Sequence, residues 1–174
     1  DTYTLISFDI RHFEHFNALF GFSAGDELLK NIARICTKFC PKDELCAHLN
    51  SDHFVLLINE KLVRAEDIIE NIKKEIQSLY SNYKIFINFG VYRLSNGIAE
   101  PAKMRDYSNA ALRTVKSSST KYIGYYDYEL NSKLIQESIM ASEMERALAN
   151  REFIAYFQPK YCCTSAKPVG AEAL

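Results

Sequence analysis

The sequence predicts an α+β fold in which a mainly antiparallel sheet of about five strands is flanked by helices and followed by a C-terminal connecting helix. Segments with strand and helix patterns alternate in the order β-α-α-β-β-α-β-α-β. Two consecutive strands in the middle form a hairpin, which favours an antiparallel sheet over a doubly wound nucleotide-binding fold. The 174 residues are 48% hydrophobic with a net charge of −1, so a packed core is expected.

The first three predicted elements are a strand and two helices. Thr2–Phe8 alternates in β-favouring residues and ends at an aspartate. Glu14–Phe20 predicts a short helix. Asp26–Cys40 has apolar residues at helical spacing, and Pro41 follows its end. We expect the charge of Asp26 to lie at the N-terminus of this helix, where the helix dipole favours it.

The central hairpin joins two short apolar strands, Leu45–Leu49 and Phe54–Ile58. Tight two-residue turns need positive φ at central positions, which asparagine tolerates better than serine. The turn here has the sequence Asn50-Ser51-Asp52. It predicts either a slightly strained hairpin or a tip with a chemical role.

The next part of the chain predicts two more helices and two more strands. Ala65–Tyr80 and Ala102–Ser117 have helical periodicity, whereas Lys84–Leu94 alternates as a strand does. Residues 95–101 predict a loop, and Tyr122–Tyr128 predicts a short aromatic strand.

The last part of the chain begins with one long predicted helix, Glu129–Asn150. Its apolar residues suggest an amphipathic helix: Leu134, Ile135, Ile139, Met140, Met144 and Leu148. Phe153–Phe157 predicts the beginning of another strand, and the sequence ends in GAEAL.

Composition excludes several classes of function. The sequence has no excess of basic residues, so nucleic acid is not expected as a partner, and no apolar run is long enough to cross a bilayer. The five cysteines include Cys36 and Cys40 at helical spacing, but buried thiols of a reduced, cytosolic protein are a better interpretation than a metal site. We expect a cytoplasmic protein or the cytoplasmic part of a larger membrane-bound or sensor protein.

The predicted strands place two aspartates where they could serve as metal ligands. Asp9 ends the first strand and Asp52 lies at the hairpin tip, so neighbouring strands would bring them together. Mg²⁺ prefers oxygen ligands, often one or two carboxylates together with substrate phosphate. Isolated aspartates at strand ends are more often solvated or capping groups.

Four segments resemble known signalling domains. FDIRHFEHFNALFGFSAGDELLKNIA resembles the first block of GGDEF domains, D-x-D-x-F-K-x-x-N-D-x-x-G-H-x-x-G-D-x-x-L. HLNSDHFVLLI stands in place of the R-x-G-G-D-E-F signature, and KSSSTKYIGYY resembles the late A-K-x-x-G-R-N segment. The tail EFIAYFQPKYCCTSAKPVGAEAL resembles the opening of an EAL phosphodiesterase domain.

This resemblance implies a nucleotidyl-cyclase-like fold and three parts of the chain. Residues 1–128 would be a degenerate GGDEF domain that lacks its N-terminal segment, residues 129–150 a connecting helix, and residues 151–174 the truncated start of an EAL domain. Gln158 and Glu172 match EAL family residues.

The resemblance also implies a role for individual residues. A divalent cation, Mg²⁺ or Mn²⁺, would accompany any bound nucleotide and be held by Asp9, the Ile10 carbonyl and Asp52. Asn17 and Asp26 match residues that hydrogen-bond guanine, and Lys116 matches a phosphate-binding lysine.

The signature departs from the family pattern at catalytically important positions. It reads Asn50-Ser51-Asp52-His53-Phe54, so both glycines are lost and His53 replaces the catalytic glutamate. A neutral imidazole is a poor Mg²⁺ ligand and removes a negative charge. Arg11 replaces the second acid of D-x-D, and Thr120 replaces a second phosphate-binding cation.

These departures predict a regulatory domain with no cyclase activity, which binds GTP and controls a downstream EAL phosphodiesterase. Its partners would be its own EAL domain, cyclic di-GMP through the full EAL domain, and a second copy in a homodimer. Two alternatives stay open: an active diguanylate cyclase with an atypical NSDHF signature, and a structural or dimerisation scaffold that binds no nucleotide.

Overall fold

The computed structural model describes residues 3–40, 44–80, 82–94, 100–118 and 120–174, in two units, Asp1–Leu130 and Asn131–Leu174. Thr2 and most of the predicted loop of residues 95–101 lie outside the described residues. The elements of the first unit are β1 (Tyr3–Ile10), α1 (Phe13–Phe20), α2 (Phe22–Phe39), β2 (Leu45–Asn50), β3 (His53–Asn59), α3 (Ala65–Leu79), β4 (Ile87–Arg93), α4 (Pro101–Lys116) and β5 (Ile123–Tyr125). The elements that follow are α5 (Tyr128–Ala149), β6 (Phe157–Tyr161) and β7 (Pro168–Ala173).

The five strands of the first unit form one sheet in the order β2-β3-β1-β4-β5. All neighbouring pairs are antiparallel except β4 and β5, which are parallel. Phe8 of β1 lies opposite Phe54 of β3 and Phe89 of β4, and its ring centroid is 5.2 Å from each of theirs. The predicted α+β class and mainly antiparallel sheet are confirmed.

Helices cover both faces of this sheet, because every residue of β1 after Tyr3 is buried while successive side chains point to opposite faces. Ile6 belongs to an apolar cluster with Ile32 of α2 and Ile69 of α3. Ser7, the next residue, points to the opposite face, where its hydroxyl lies 2.6 Å from that of Ser108 on α4. The sheet is therefore the central layer between α2 and α3 on one side and α4 on the other.

Helix α2 begins four residues earlier than predicted. Gly21, with φ of 87°, ends α1 and also precedes α2, so the chain turns at this one residue. A positive φ costs glycine little because it has no Cβ. Asp26 consequently lies in the second turn of α2, and the prediction that it sits at the helix N-terminus is wrong.

The hairpin turn is strained at serine. Ser51 has φ of 47°, a left-handed conformation that is unfavourable for its side chain. His48 supports the turn, because its Nε2 lies 2.6 Å from the Ser51 carbonyl oxygen and its ring stacks on Phe54. Leu49 lies at a register shift in β2. Both strands also extend one or more residues beyond their predicted ends.

Two predicted strands are longer than the observed ones. β4 begins at Ile87, three residues later than predicted, and the carbonyl of Phe86 instead accepts a hydrogen bond from the amide of Arg11. β5 has three residues, Ile123–Tyr125, because the next residues lead directly into α5.

The second unit contains most of α5 and an antiparallel hairpin of β6 and β7. The predicted strand Phe153–Phe157 is misplaced, since β6 begins only at Phe157. The expected apolar face of α5 is not buried within the chain, because every residue of this helix is exposed or half-buried. A bilayer-spanning helix needs about 20 apolar residues, and none of the helices in the described residues meets that requirement of length and apolarity.

Candidate functional site

A polar cavity of about 270 Å³ lies where β1 ends and α1 begins. It collects residues from β1, the hairpin turn, β4 and the end of α4. Its lining residues are Asp9, Ile10, Arg11, His12, Glu14, Asp52, Asn88 and Lys116. All four predicted residues at the metal and phosphate positions, Asp9, Ile10, Asp52 and Lys116, are therefore brought together.

Asp9 is buried at the floor of this cavity, with 6% of its surface exposed. Its Oδ2 lies 2.5 Å from the ammonium of Lys116, and its Oδ1 accepts a hydrogen bond of 3.3 Å from the Asn88 amide. Both carboxylate oxygens are thus engaged. A buried carboxylate needs such partners because burial without them is costly.

Asp52 reaches the same cavity from the hairpin. Phe54 pairs with Phe8, so the antiparallel register places the turn before Phe54 beside the end of β1. The Asp52 Oδ2 accepts a hydrogen bond of 3.0 Å from the backbone amide of Ile10. The sheet register therefore brings this aspartate to the residue that follows Asp9.

Arg11 contributes a second cation to the cavity. Its Nη2 donates to the Asn88 Oδ1 at 2.7 Å and to the Val115 carbonyl at 3.3 Å. Its Nε is buried and has no hydrogen-bond partner within the described residues. Arg11 therefore ties β1 to both β4 and α4 and offsets part of the negative charge of the two aspartates.

His53 does not line the cavity. Its ring is half-buried, and its Nε2 has no hydrogen-bond partner in the part of the chain that is described. Burial lowers the pKa of His53, although the nearby carboxylates of Asp9 and Asp52 and an interaction with Asn109 oppose this effect. Burial thus favours the neutral imidazole, and His53 is not among the residues positioned around the cavity as a metal ligand would be.

Asn17 and Asp26 lie outside the lining of this cavity. Asn17 is on α1, and its Oδ1 is buried without a hydrogen-bond partner among the described residues. That oxygen packs on Gly25, where an added Cβ would come within 1.8 Å of it. Asp26 is the next residue of α2 and is exposed to solvent. The two predicted guanine-binding residues are therefore both next to Gly25: Asn17 packs on it, and Asp26 follows it in the chain.

The donors in this cavity suit a hard divalent cation. The carboxylates of Asp9 and Asp52 and the Ile10 carbonyl are oxygen ligands of the kind that Mg²⁺ and Mn²⁺ prefer. Within the described residues, no three His, Cys, Asp or Glu side chains are arranged to hold a metal. A cation would thus need further oxygen ligands from water or phosphate, and Lys116 would have to move away from Asp9.

Several residues at or beside the site, among them Asn88, Glu14 and Gly25, were not identified from sequence. Asn88 lies in an alternating strand, where its polarity suggested an exposed position, yet it is 2% exposed and bonded to Asp9. Glu14 begins a helix, a position that a dipole effect alone would explain. Gly25 is a helix-interior glycine, and such a residue often marks close packing. That signal could have located it beside Asn17.

The two predicted EAL residues lie together in the second unit. Gln158 of β6 is the register partner of Glu172 of β7. The Glu172 carboxylate also lies 2.9 Å from the ammonium of Lys160, in an exposed ion pair.

Residues 1–121 match the family model described as diguanylate cyclase, GGDEF domain. The signaling protein YkoW of Bacillus subtilis is 24% identical, and the match covers 95% of this chain and 22% of YkoW. The bifunctional diguanylate cyclase/cyclic di-GMP phosphodiesterase MucR of Pseudomonas aeruginosa is 21% identical, and the match covers 99% of this chain and 26% of MucR. The chain thus spans about a quarter of the length of these relatives.

Solved structures share the fold. The GGDEF domain of TpbB (YfiN) from Pseudomonas aeruginosa has a TM-score of 0.65 at 22% identity, covering 77% of this chain and 82% of that one. The GGDEF domain of DgcB from Caulobacter crescentus, in complex with c-di-GMP, has a TM-score of 0.61 at 20% identity, covering 72% of this chain and 78% of that one.

Proposed function

The chain belongs to the GGDEF family, and from this premise we propose that residues 1–128 are a GTP-binding regulatory domain without cyclase activity. In this proposal the domain controls an EAL phosphodiesterase that acts on cyclic di-GMP, of which residues 151–174 are the start. The bound nucleotide is accompanied by Mg²⁺ or Mn²⁺.

The observation that carries the proposal is the pairing of Asp9 with Lys116. A nucleotide with its cation could replace this internal ion pair, since the metal would take the carboxylate and a phosphate would take the ammonium. Asn17 supports the same interpretation, because a buried amide oxygen with no partner is a costly feature that a ligand could relieve.

The loss of cyclase activity is supported by the side chains around this pair. Arg11 adds a positive charge near Asp9 and donates a hydrogen bond to Asn88, and His53 is not among the residues that line the cavity. Electrostatic stabilisation of developing charge is usually the largest contribution to catalysis. A neutral histidine outside the cavity cannot supply the negative charge that the family's glutamate provides.

Isothermal titration of this chain with GTP in the presence of Mg²⁺ tests the binding proposal. We expect heat of binding that is lost in Asp26→Ala and retained in the matched control Glu27→Ala, because both residues are exposed on the same helix turn. Absence of heat with the unmodified protein would contradict GTP binding and favour the scaffold alternative.

Chromatography of the products formed from GTP tests the absence of cyclase activity. We expect no cyclic di-GMP from this chain. The substitution His53→Glu indicates whether this position alone is limiting, and His15→Glu, an exposed histidine on α1, is its control. Cyclic di-GMP formed by the unmodified protein would establish the active-cyclase alternative instead.

The downstream phosphodiesterase is supported by the tail. The match to MucR covers 99% of the chain and hence includes most of residues 151–174, and Gln158 and Glu172 are paired in one hairpin. In the longer protein with its complete EAL domain, we expect hydrolysis of cyclic di-GMP. Glu172→Gln should abolish this activity, and Lys167→Gln, an exposed lysine of the same hairpin, should leave it unchanged. Full activity of Glu172→Gln would contradict the assignment.

The regulatory coupling has its own test. Connecting helix α5 joins the two domains without a glycine-rich or serine-rich linker. We expect GTP to change the phosphodiesterase rate of the longer protein, and Asp26→Ala to remove that response while leaving the basal rate. An unchanged rate at saturating GTP would contradict regulation even where GTP binds.

A further inference from the structure

A second and larger cavity lies beside the one described above. Its volume is about 410 Å³, within the range of roughly 300–1,000 Å³ typical of small-molecule sites. It is formed by α3, the segment leading into β4 and the segment leading into β5. We call it the basic pocket, and its lining residues are Arg11, Lys73, Lys74, Gln77, Lys84, Ile85, Phe86, Ile87, Thr120, Lys121 and Tyr122.

The charge of this pocket is strongly one-sided. The chain has 21 basic and 22 acidic residues, yet five of the described lining residues are Lys or Arg and none is Asp or Glu. A concentration of ammonium groups around one concave surface attracts anions.

One nearby carboxylate is already engaged and does not neutralise the pocket. Glu70 accepts a hydrogen bond from the Tyr122 hydroxyl and lies 2.9 Å from the Lys73 ammonium. These contacts lower the pKa of Glu70. Lys73 also lies 3.8 Å from the centroid of the Tyr122 ring. Glu70 also acts on Lys74, and Arg11 lies beside the aspartates of the neighbouring cavity, but no carboxylate lines the basic pocket itself.

The floor of the pocket is apolar and partly aromatic. Phe86 is 49% exposed although it is a large apolar side chain, and the Lys84 ammonium lies 5.0 Å from the centroid of its ring. Ile85 and Ile87 flank it. A planar ring placed on Phe86 would bury apolar surface and stack on an aromatic face, which is favourable.

We propose that the basic pocket binds an aromatic monophosphate, with its ring on the apolar floor and its phosphate at the lysine rim. Lysine ammonium groups are compact charges suited to phosphate oxygens. Inorganic phosphate would make no apolar contact with the floor, and a neutral aromatic compound would make no ionic contact with the lysine rim. This assignment does not depend on the proposed GTP binding, although Arg11 lines both cavities and Thr120, which stands where the family has a second phosphate-binding cation, lines this pocket.

Titration with 1-naphthyl phosphate, 1-naphthol and inorganic phosphate tests the proposal, with binding followed by amide chemical shifts of the whole chain. We expect 1-naphthyl phosphate to bind at least about tenfold more tightly than either other compound. The largest shifts should fall at Ile85–Ile87 and Thr120–Tyr122. Equal affinity for the three compounds, or shifts centred on Asp9 and Asp52, would overturn the proposal.

Substitution of the rim provides the second test. Lys74 and Lys84 are exposed, so the double variant Lys74→Gln/Lys84→Gln should remain folded, which its thermal unfolding would verify. We expect it to bind 1-naphthyl phosphate about tenfold more weakly. Lys103→Gln, an exposed lysine outside the pocket, should bind as the unmodified protein does. Unchanged affinity in the folded double variant would overturn the proposal.

Discussion

The charge balance around Asp9 depends on individual side chains. Lys116 and Arg11 place two cations beside the carboxylates of Asp9 and Asp52, so the cavity is far less negative than two aspartates alone would make it. His53 adds no charge because burial favours its neutral form. At the scale of residues, Arg11 and His53 depart from the family pattern and are the basis of the proposed loss of catalysis, whereas Lys116 matches the family's phosphate-binding lysine.

The titration of His53 is a testable consequence of its burial. Its pKa is lowered in the folded chain from the ordinary value of 6.5, so the unfolded chain binds the proton more tightly. Stability from this residue is therefore complete above the unfolded pKa and is lost as the pH falls through 6.5 towards the folded pKa. We expect the imidazole NMR signals of His53 to titrate below pH 6.5.

A thermal comparison provides the control for this effect. The fall in Tm between about pH 7.5 and 5.5 should be smaller in His53→Gln than in the unmodified protein, because glutamine does not titrate. His15→Gln, on the exposed side of α1, should retain the original fall. Titration of His53 at or above the ordinary histidine pKa would show that the ring is not desolvated.

The substitution Gly25→Ala should change nucleotide binding at the candidate site without changing the stability of the fold. Alanine stabilises a helix interior by about 1 kcal/mol relative to glycine, but its Cβ would come within 1.8 Å of the Asn17 Oδ1. Because that atom is the end of a side chain, Asn17 can rotate away. We expect nearly unchanged thermal unfolding together with GTP affinity reduced about tenfold, measured by calorimetry.

The GTP affinity of Gly25→Ala can be compared directly with that of Asn17→Ala, which removes the amide that Gly25→Ala displaces. Both variants should lose affinity to a similar extent if Asn17 contacts the nucleotide. Full GTP affinity in Gly25→Ala would mean that the orientation of Asn17 does not matter for binding.

At the scale of elements, the packing of α4 on the sheet positions Lys116. Two glycines allow this close approach. A Cβ at Gly90 of β4 would lie 2.1 Å from the Ser108 carbonyl oxygen, and one at Gly124 of β5 would lie 2.2 Å from that of Ala111. These neighbours are backbone atoms, which cannot rotate away as a side chain can.

Gly90→Ala should therefore destabilise the first unit. Overpacking of this kind typically costs about 1–3 kcal/mol, and chemical denaturation measures it as a lower midpoint at unchanged slope. Gly170→Ala is the matched control, since a Cβ there meets nothing within 4 Å. Equal stability of the two variants would contradict the close contact between α4 and β4.

At the scale of the whole molecule, the buried core lies entirely in the first unit. All described residues from 131 to 174 are exposed or half-buried, whereas the apolar cluster extends from Ile6 to Val91. The first unit should therefore fold without the second.

A fragment of residues 1–130 tests this expectation. Its calorimetric unfolding should be cooperative, with a Tm within about 3 °C of that of residues 1–174, because the described buried residues all belong to the first unit. The substitution Ile69→Ala in the same fragment should lower the Tm strongly, since Ile69 is fully buried. Loss of cooperative unfolding in the unmodified fragment would contradict an independent first unit.

The sequence by itself predicted the fold class, the element order of the first unit and the two aspartates that line the candidate cavity. Apolar periodicity identified α3, whose burial follows the helical repeat, and two short apolar runs identified the central hairpin. The resemblance located Asp9, Asp52 and Lys116, since these residues stand at fixed places in short motifs. Element ends were less accurate, as at α2 and β4, because hydrogen bonds of single residues such as Gly21 and Phe86 decide them.

Only the tertiary structure decided which groups face one another. The Asp9 contact with Lys116 joins β1 to α4, and the Asn88 contact with Asp9 depends on the strand register. The basic pocket likewise collects residues from Arg11 to Tyr122 that are distant in sequence. Local patterns reflect the burial of each segment against its own neighbours, whereas the charge and shape of a cavity arise from segments that folding alone brings together.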